Sequence, residues 1–380
     1  MKITQLVFKN HELAVNGKDD IEDPLLVNFV LVFGKKELIA DGELYNLLQQ
    51  RFSSAQVLLC STAGEIIGGT VQDETVILTA VQFEKIYIKT CSLNIAEFPT
   101  SFELGKSLIS QLDKKELGYV LILSDGLLVN GTQLVAGIQS GNDRSVLITG
   151  GLAGDGVQFD HTLVGLNSKP IKGNVVAVGF YGSNLDIRSS SISGWDVFGP
   201  ERIVTKASGT KVFEIDQQSA IDLYKTYLGP YINDQTNSTL LFPLAVRLPG
   251  KSHYFARSIL SINQHANCMV FAGDVPEGST IRFMKASFKK LINASEQAAR
   301  QISGDYPSYS PDFALLISCV GRKTILDQQI EEEVAVVADH FGNQTAIAGF
   351  YSYGEISPNM LNGPCELHNQ TMTITTFNEL

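Results

Sequence analysis

Two hydrophobic periods alternate along the chain, one belonging to helices and one to strands. In "DGELYNLLQQRF" Leu44, Leu47, Leu48 and Phe52 fall on one helical face, and the "AQVLLC" that follows reads as a buried strand. "TVILTAV" (75–81) is a further strand, reached by a loop too short for a helical crossover, which argues against an all-parallel sheet. Thr100 and Glu103 have capping-box spacing ahead of a stripe of Phe102, Leu108, Ile109 and Leu112. Strands are then expected at "YVLILS" (119–124), "VLITG" (146–150) and "NVVAVGFY" (174–181).

The Ser- and Gly-rich "SSSISGWDVFGPE" (189–201) reads as a loop or a strand-to-strand transition. After it come a helix in "DQQSAIDLYKTYLG" closed by Gly229, and strands in "LLFPLAV", "YFARSIL" and "CMVFAG". A helix carrying Phe288, Leu291, Ile292, Ser295, Ala299 and Ile302 on one face precedes strand "FALLISC", helix "EEEVAVVADHFG" and strands "TAIAGF" and "TMTIT". Residues 101–181 and 287–375 thus share one order: helix, strand, polar turn, helix, strand, Gly-acid turn, strand. This is the mark of an internal duplication. The expected fold is mixed α/β (α+β), with two related halves, 1–220 and 221–380. Mixed β-sheets lie under outer helices, and a layered αββα arrangement is the preferred form.

One abrupt turn occurs three times, in "LLCSTAGEI" (58–66), "ITGGLAGDG" (148–156) and "IAGFYSYGEI" (347–356). Gly64, Gly154 and Gly354 permit a positive φ or a close approach of ligand to backbone. The acids that follow, Glu65, Asp155 and Glu355, could pair with a ligand ammonium, so an amino acid suits such a turn. The alternative is a tight turn whose carboxylate caps a backbone N–H. Asp125-Gly126 and the segment Ser318 to Arg322 occupy matching places after a strand, where open α/β sheets bind ligands. Arg322 could grip a carboxylate or tie down its own loop.

The 380 residues are 44% hydrophobic and 18% charged, which describes a globular protein. A net charge of −11 argues against nucleic acid or an anionic membrane as partner. The five cysteines are scattered and form no CxxC, which fits a reducing cytoplasm. The opening segment lacks the features of a signal peptide, and no apolar run reaches membrane-spanning length, so a cytoplasmic location is expected. Cys60, Ser61 and Cys319 are the candidate nucleophiles, but Ser61 lacks the GxSxG elbow, and an enzyme is the minority reading. "GLAGDG" is not the dinucleotide fingerprint. No two of the six histidines have metal-ligand spacing on a helix, so no metal site is expected.

Eight blocks follow one another along the chain: "CSTAGEI", "LSDGL", "GGLAGDG" and the long segment from "GWDVFGPERIV" to "LYKTYLG", then "GDVPEGSTIRF", "ISCVGRK", "GFYSYGEISP" and "LHNQTMTI". In this order they resemble the FIST family, a sensory domain of bacterial signal transduction. The resemblance implies a stand-alone, non-enzymatic sensor of FIST N-terminal and C-terminal regions that binds a small molecule such as an amino acid. It would act on a separate signalling partner, such as a histidine kinase or a cyclic-di-GMP enzyme. A subset of stand-alone members are haemoproteins that sense nitric oxide, which makes haem the rival ligand, and His368 in "LHNQT" is its candidate axial residue. Shared position after strands and place in these blocks nominate Ser61, Thr62, Glu65, Asp125, Asp155, Arg322, Tyr353 and Glu355 as lining, with Gly64, Gly126, Gly154 and Gly354 beside them.

Overall fold

The computed structural model describes residues 1–142, 146–228, 238–304, 309–359 and 363–380. Its architecture is mixed α/β with four sheets. The apolar runs Phe29–Gly34, Leu117–Ser124 and Phe313–Cys319 are buried along most of their length, and each lies inside a different six-stranded sheet. Burial on both faces is why they read as continuous apolar segments with no alternation.

The three sheets are built alike. Each central strand pairs in parallel with the next long strand after a helical connection: Gln56–Ser61, Leu147–Leu152 and Ala346–Ser352 respectively. On its other side it pairs antiparallel with a returning strand, Val76–Gln82, Asn174–Tyr181 or Met372–Glu379. That strand pairs antiparallel in turn with the strand that opens the unit, Lys2–Lys9, Tyr87–Asn94 or Leu185–Ile192. The copies expected at 101–181 and 287–375 therefore share this topology, and a third copy precedes them at the amino terminus. The third escapes the helix–strand pattern for a physical reason. A hairpin strand, Glu12–Asp19, and a short 3-10 turn, Pro24–Leu26, stand where the other copies have the helices Ser101–Ser110 and Phe288–Ser303.

The units are interlocked by their Gly-acid turns. After each turn the chain crosses into a neighbour's sheet: Glu65–Ile67 pairs with Ala346–Ser352, Val164–Leu166 with Gln56–Ser61, and Gly354–Pro358 with Leu147–Leu152. The exchange is cyclic: each unit gives one neighbour a strand that pairs directly with its sheet and receives one from the other, and the first and third units also give the strand hairpinned to it, Thr70–Gln72 and Cys365–His368. The inner faces of all three sheets meet in one core, in which Phe33 stacks on Phe350 at 4.7 Å and Tyr119 meets Phe377 edge-on at 5.3 Å. Each such fully buried side chain stabilises by about 1.5–3 kcal/mol. Three sheets face one another where the layered expectation had two. Helices cover the outer faces, with Leu44 and Leu48 of Gly42–Arg51 against the first sheet and Ser101–Ser110, Gly131–Gly141, Phe288–Ser303 and Ile330–Phe341 over the others.

Between Leu185–Ile192 and the helix Phe288–Ser303 the third unit carries an insert, whose strands from Asp196–Ser208 to Thr280–Lys285 form the fourth sheet around the helix Ala220–Leu228. "SSSISGWDVFGPE" joins the last strand before the insert to the first strand within it. This sheet takes strands from both sides of residue 220. Gly229, expected to close the helix, lies outside the described residues. Thr100 caps the helix Ser101–Ser110 by accepting from the Glu103 amide at 3.2 Å. Thr100→Ala is expected to lower stability by about 1 kcal/mol in urea unfolding, the usual effect of losing one such cap.

Candidate ligand-binding cleft

The three turn carboxylates are deeply buried, and two share one device. Glu65 accepts from the Thr62 hydroxyl at 2.5 Å and the Thr75 hydroxyl at 3.0 Å. Glu355 accepts from Ser352 at 2.7 Å and from the Thr371 hydroxyl and amide at 2.8 and 3.1 Å. In each case a hydroxyl three residues earlier and a threonine heading the returning strand hold the acid across the exchange. Burial dominates and pushes both carboxyls up to about 7, against the pull of those hydrogen bonds.

Asp155 is held differently. Its carboxylate accepts from Lys36 at 3.0 Å, from the amides of Phe159, Asp160 and His161, and from the Tyr353 hydroxyl. Burial works to raise Asp155, but the Tyr353 and Lys36 contacts outweigh it and keep the carboxyl below its ordinary value. Burial likewise works to lower Lys36, and its bonds to Asp155 and Asp160 raise it overall. A charged pair is therefore fixed at this turn.

The carboxyl ends of strands from all three units border one open cleft of about 550 Å³. The first unit supplies Lys35 and Lys36 at a helix start, and Thr62, Gly64 and Glu65 from its turn. The second supplies Asp155 and Gly156, and the third contributes Val320, Lys323, Thr324 and Asp327 from the helix Val320–Leu326 and its end. Lys323 donates to the Ala63 carbonyl at 2.9 Å, pairs with Asp73 and lies 5.5 Å from the Tyr351 ring. Six carboxylates and three lysines line the cleft (Glu37, Glu65, Asp73, Glu74, Asp155 and Asp327 against Lys35, Lys36 and Lys323). An acid excess of this kind disfavours a polyphosphate and suits a small molecule with an ammonium as well as a carboxylate.

Of the nominated residues, the cleft brings together Thr62, Gly64, Glu65 and Asp155. Gly64 has φ +135°, the left-handed region that glycine tolerates, whereas Gly154 is needed for space, since a Cβ there would lie 2.9 Å from the Ala63 amide. Ser61 is buried beside the cleft and accepts from the Leu163 amide at 2.9 Å. Asp125 is also buried, its oxygens taken by the amides of Leu127, Leu128 and Gly173. Gly126 and Tyr353 line a separate cavity, and Gly354 packs near Leu152 and Leu367. Glu355 does not reach the cleft.

Arg322 is fully buried and spends its donors inside the protein: on Glu333 at 2.6 Å, on the carbonyls of Ser193 and Leu291 at 2.5 and 2.8 Å, and on Ser295 at 3.1 Å. It ties its own loop. His368 is buried, its Nε2 sits 3.0 Å from the Ser357 carbonyl, and burial lowers it to about 4. Burial also raises the Cys60 and Cys319 thiols, away from thiolate character. The pattern of turns did not single out Lys36 and Lys323. Each sits just past the end of a central strand, in "FGKK" and "SCVGRK", and that placement is the signal that marks them.

Among the described residues no helix is long and apolar enough to cross a membrane, and no cluster of three His, Cys, Asp or Glu residues is disposed to hold a metal. No curated protein matches the chain. The FIST N domain model matches residues 28–218 and the FIST C domain model residues 220–358. FIST domains are sensor domains of signal transduction, associated with small-ligand sensing. The chain, carrying both parts in sequence, belongs to the FIST family.

Proposed function

We propose that this protein is a small-molecule sensor that holds an amino-acid-like ligand in the cleft and reports its occupancy to a separate signalling protein, such as a histidine kinase or a cyclic-di-GMP enzyme. The observation that carries this reading is the joining of residues from three units around one cleft of mixed charge. Glu65, held near neutrality by burial, offers a carboxyl that an arriving ammonium would ionise, and Lys36 and Lys323 offer cations for a carboxylate. The reading has no catalytic step, in keeping with the buried, unactivated thiols of Cys60 and Cys319.

Occupancy can reach a partner only through a difference in binding free energy, and that coupling is reciprocal. The helix Val320–Leu326 is placed to transmit it, because Lys323 spans from this helix to the first unit's turn. Titration calorimetry with a panel of free amino acids tests the reading. At least one is expected to bind saturably, with Glu65→Ala and Lys323→Ala each weakening it by about tenfold or more. Partner affinity measured with the cleft filled and empty should differ by about 1–3 kcal/mol. Equal partner affinities would end the sensor reading, however tightly the amino acid bound.

A further inference from the structure

The ion pairs of the charged cleft do not balance. Each of its three lysines already has an acid of the protein as partner: Lys35 has Glu74 at 2.8 Å, Lys36 has Asp155 at 3.0 Å and Asp160 at 3.2 Å, and Lys323 has Asp73. The converse fails for three acids. Glu37, Glu65 and Asp327 also line the cleft, and no ion pair among the described residues reaches them. Lys35 and Lys323 act on Glu65, and Lys35 on Glu37, only across space, since each lysine is committed to a closer carboxylate.

The three unpaired acids differ in setting. Glu65 is 1% exposed and its carboxyl is held only by neutral donors, the Thr62 and Thr75 hydroxyls and the Thr75 amide. Glu37, on the short helix Lys36–Ile39, and Asp327, at the end of Val320–Leu326, are exposed and come from different units. Between these acids the cleft has apolar surface in Val157, 46% exposed, and Val320. A lysine ammonium has three donors, so Lys36, with two carboxylates, and Lys323, with Asp73 and the Ala63 carbonyl, each keep one for a ligand. A bound zwitterion adds no net charge and leaves the acid excess uncompensated. An anionic side chain would add to it, and a cationic one would offset it.

We propose that the cleft selects an amino acid whose side chain carries a cation, as in lysine or arginine, over neutral and acidic amino acids. Glu65 takes the α-ammonium, the donors left on Lys36 and Lys323 take the carboxylate, and Glu37 and Asp327 attract the side-chain cation. This selectivity rests on the amino-acid reading of the cleft given above and adds the class of side chain to it.

L-Lysine, L-norleucine and L-glutamate test it by titration calorimetry on the full chain, because norleucine has the lysine side chain without its ammonium. Lysine is expected to bind about tenfold tighter than norleucine, and glutamate more weakly than either. The gap between lysine and norleucine should shrink in 1 M salt, since Glu37 and Asp327 are exposed to screening. The double variant Glu37→Gln with Asp327→Asn, at two exposed positions, should narrow the gap to about threefold or less. Norleucine or glutamate binding as tightly as lysine, or a gap unchanged in the double variant, would overturn the selectivity while leaving the amino-acid reading in place. Saturable binding of none of the free amino acids would overturn both.

Discussion

Arg322→Ala is expected to lower the stability of the fold by about 3–5 kcal/mol, the usual consequence of removing one partner from a buried ion pair. Both Arg322 and Glu333 are 0% exposed, and Glu333 also accepts from Ser318 and Tyr351 at 3.1 Å each. Truncating the arginine leaves that carboxylate buried and the carbonyls of Ser193 and Leu291 without their donor. The double variant Arg322→Met with Glu333→Leu should recover much of the loss, because it removes both charges together. Urea unfolding of the three chains measures this. A loss under about 1 kcal/mol in Arg322→Ala would mean that Glu333 is relieved by solvent, contrary to its burial.

The second large effect depends on pH. Glu355 is fully buried and its carboxyl is raised from an ordinary 4.5 to about 7. A carboxyl raised on folding binds its proton more tightly in the native state. Its contribution to stability is therefore complete below about pH 4.5 and is lost as pH rises through about 7. The interval corresponds to about 3 kcal/mol. Glu355→Gln keeps the shape, stays neutral, and can accept from Thr371 with its oxygen while its amide faces Ser352. The variant should match the parent at pH 4 and exceed it by up to about 3 kcal/mol at pH 8, in urea unfolding at the two pH values. A constant difference across that range would show that Glu355 does not titrate between them.

Much of the strand framework was legible because its strands are buried on both faces. "YVLILS" and "FALLISC" can hardly be anything else, and the capping pair Thr100 and Glu103 marked a helix start that the structure places at Ser101. The cyclic exchange was not legible, since Glu65–Ile67 and Val164–Leu166 are three residues each and carry no period. Their partners lie far away in sequence, and pairing over such a distance leaves no local trace. The site was read in part. Recurrence of the Gly-acid turn located Glu65 and Asp155, but could not tell them from Glu355, whose surroundings are as buried but face no cleft. Arg322 shows the same limit. A strand-end arginine looks alike in sequence whether it faces a ligand or Glu333, and only the packed neighbours decide.

The cyclic exchange of strands has a consequence for how the molecule can be divided. Three separate polypeptides joined in this way would be described as a strand-swapped trimer, and their assembly would depend on concentration. Here covalent connections replace that association and hold the three copies at high effective concentration. A chain cut between residues 218 and 220, where the two domain models meet, would strip Leu147–Leu152 of Gly354–Pro358 and leave Glu65–Ile67 without Ala346–Ser352. Both fragments would present open strand edges ready to pair with other molecules. The boundary between the two domain models is thus not a mechanical seam: the two parts share one closed ring of exchanged strands, and neither can be detached without unzipping a sheet of the other.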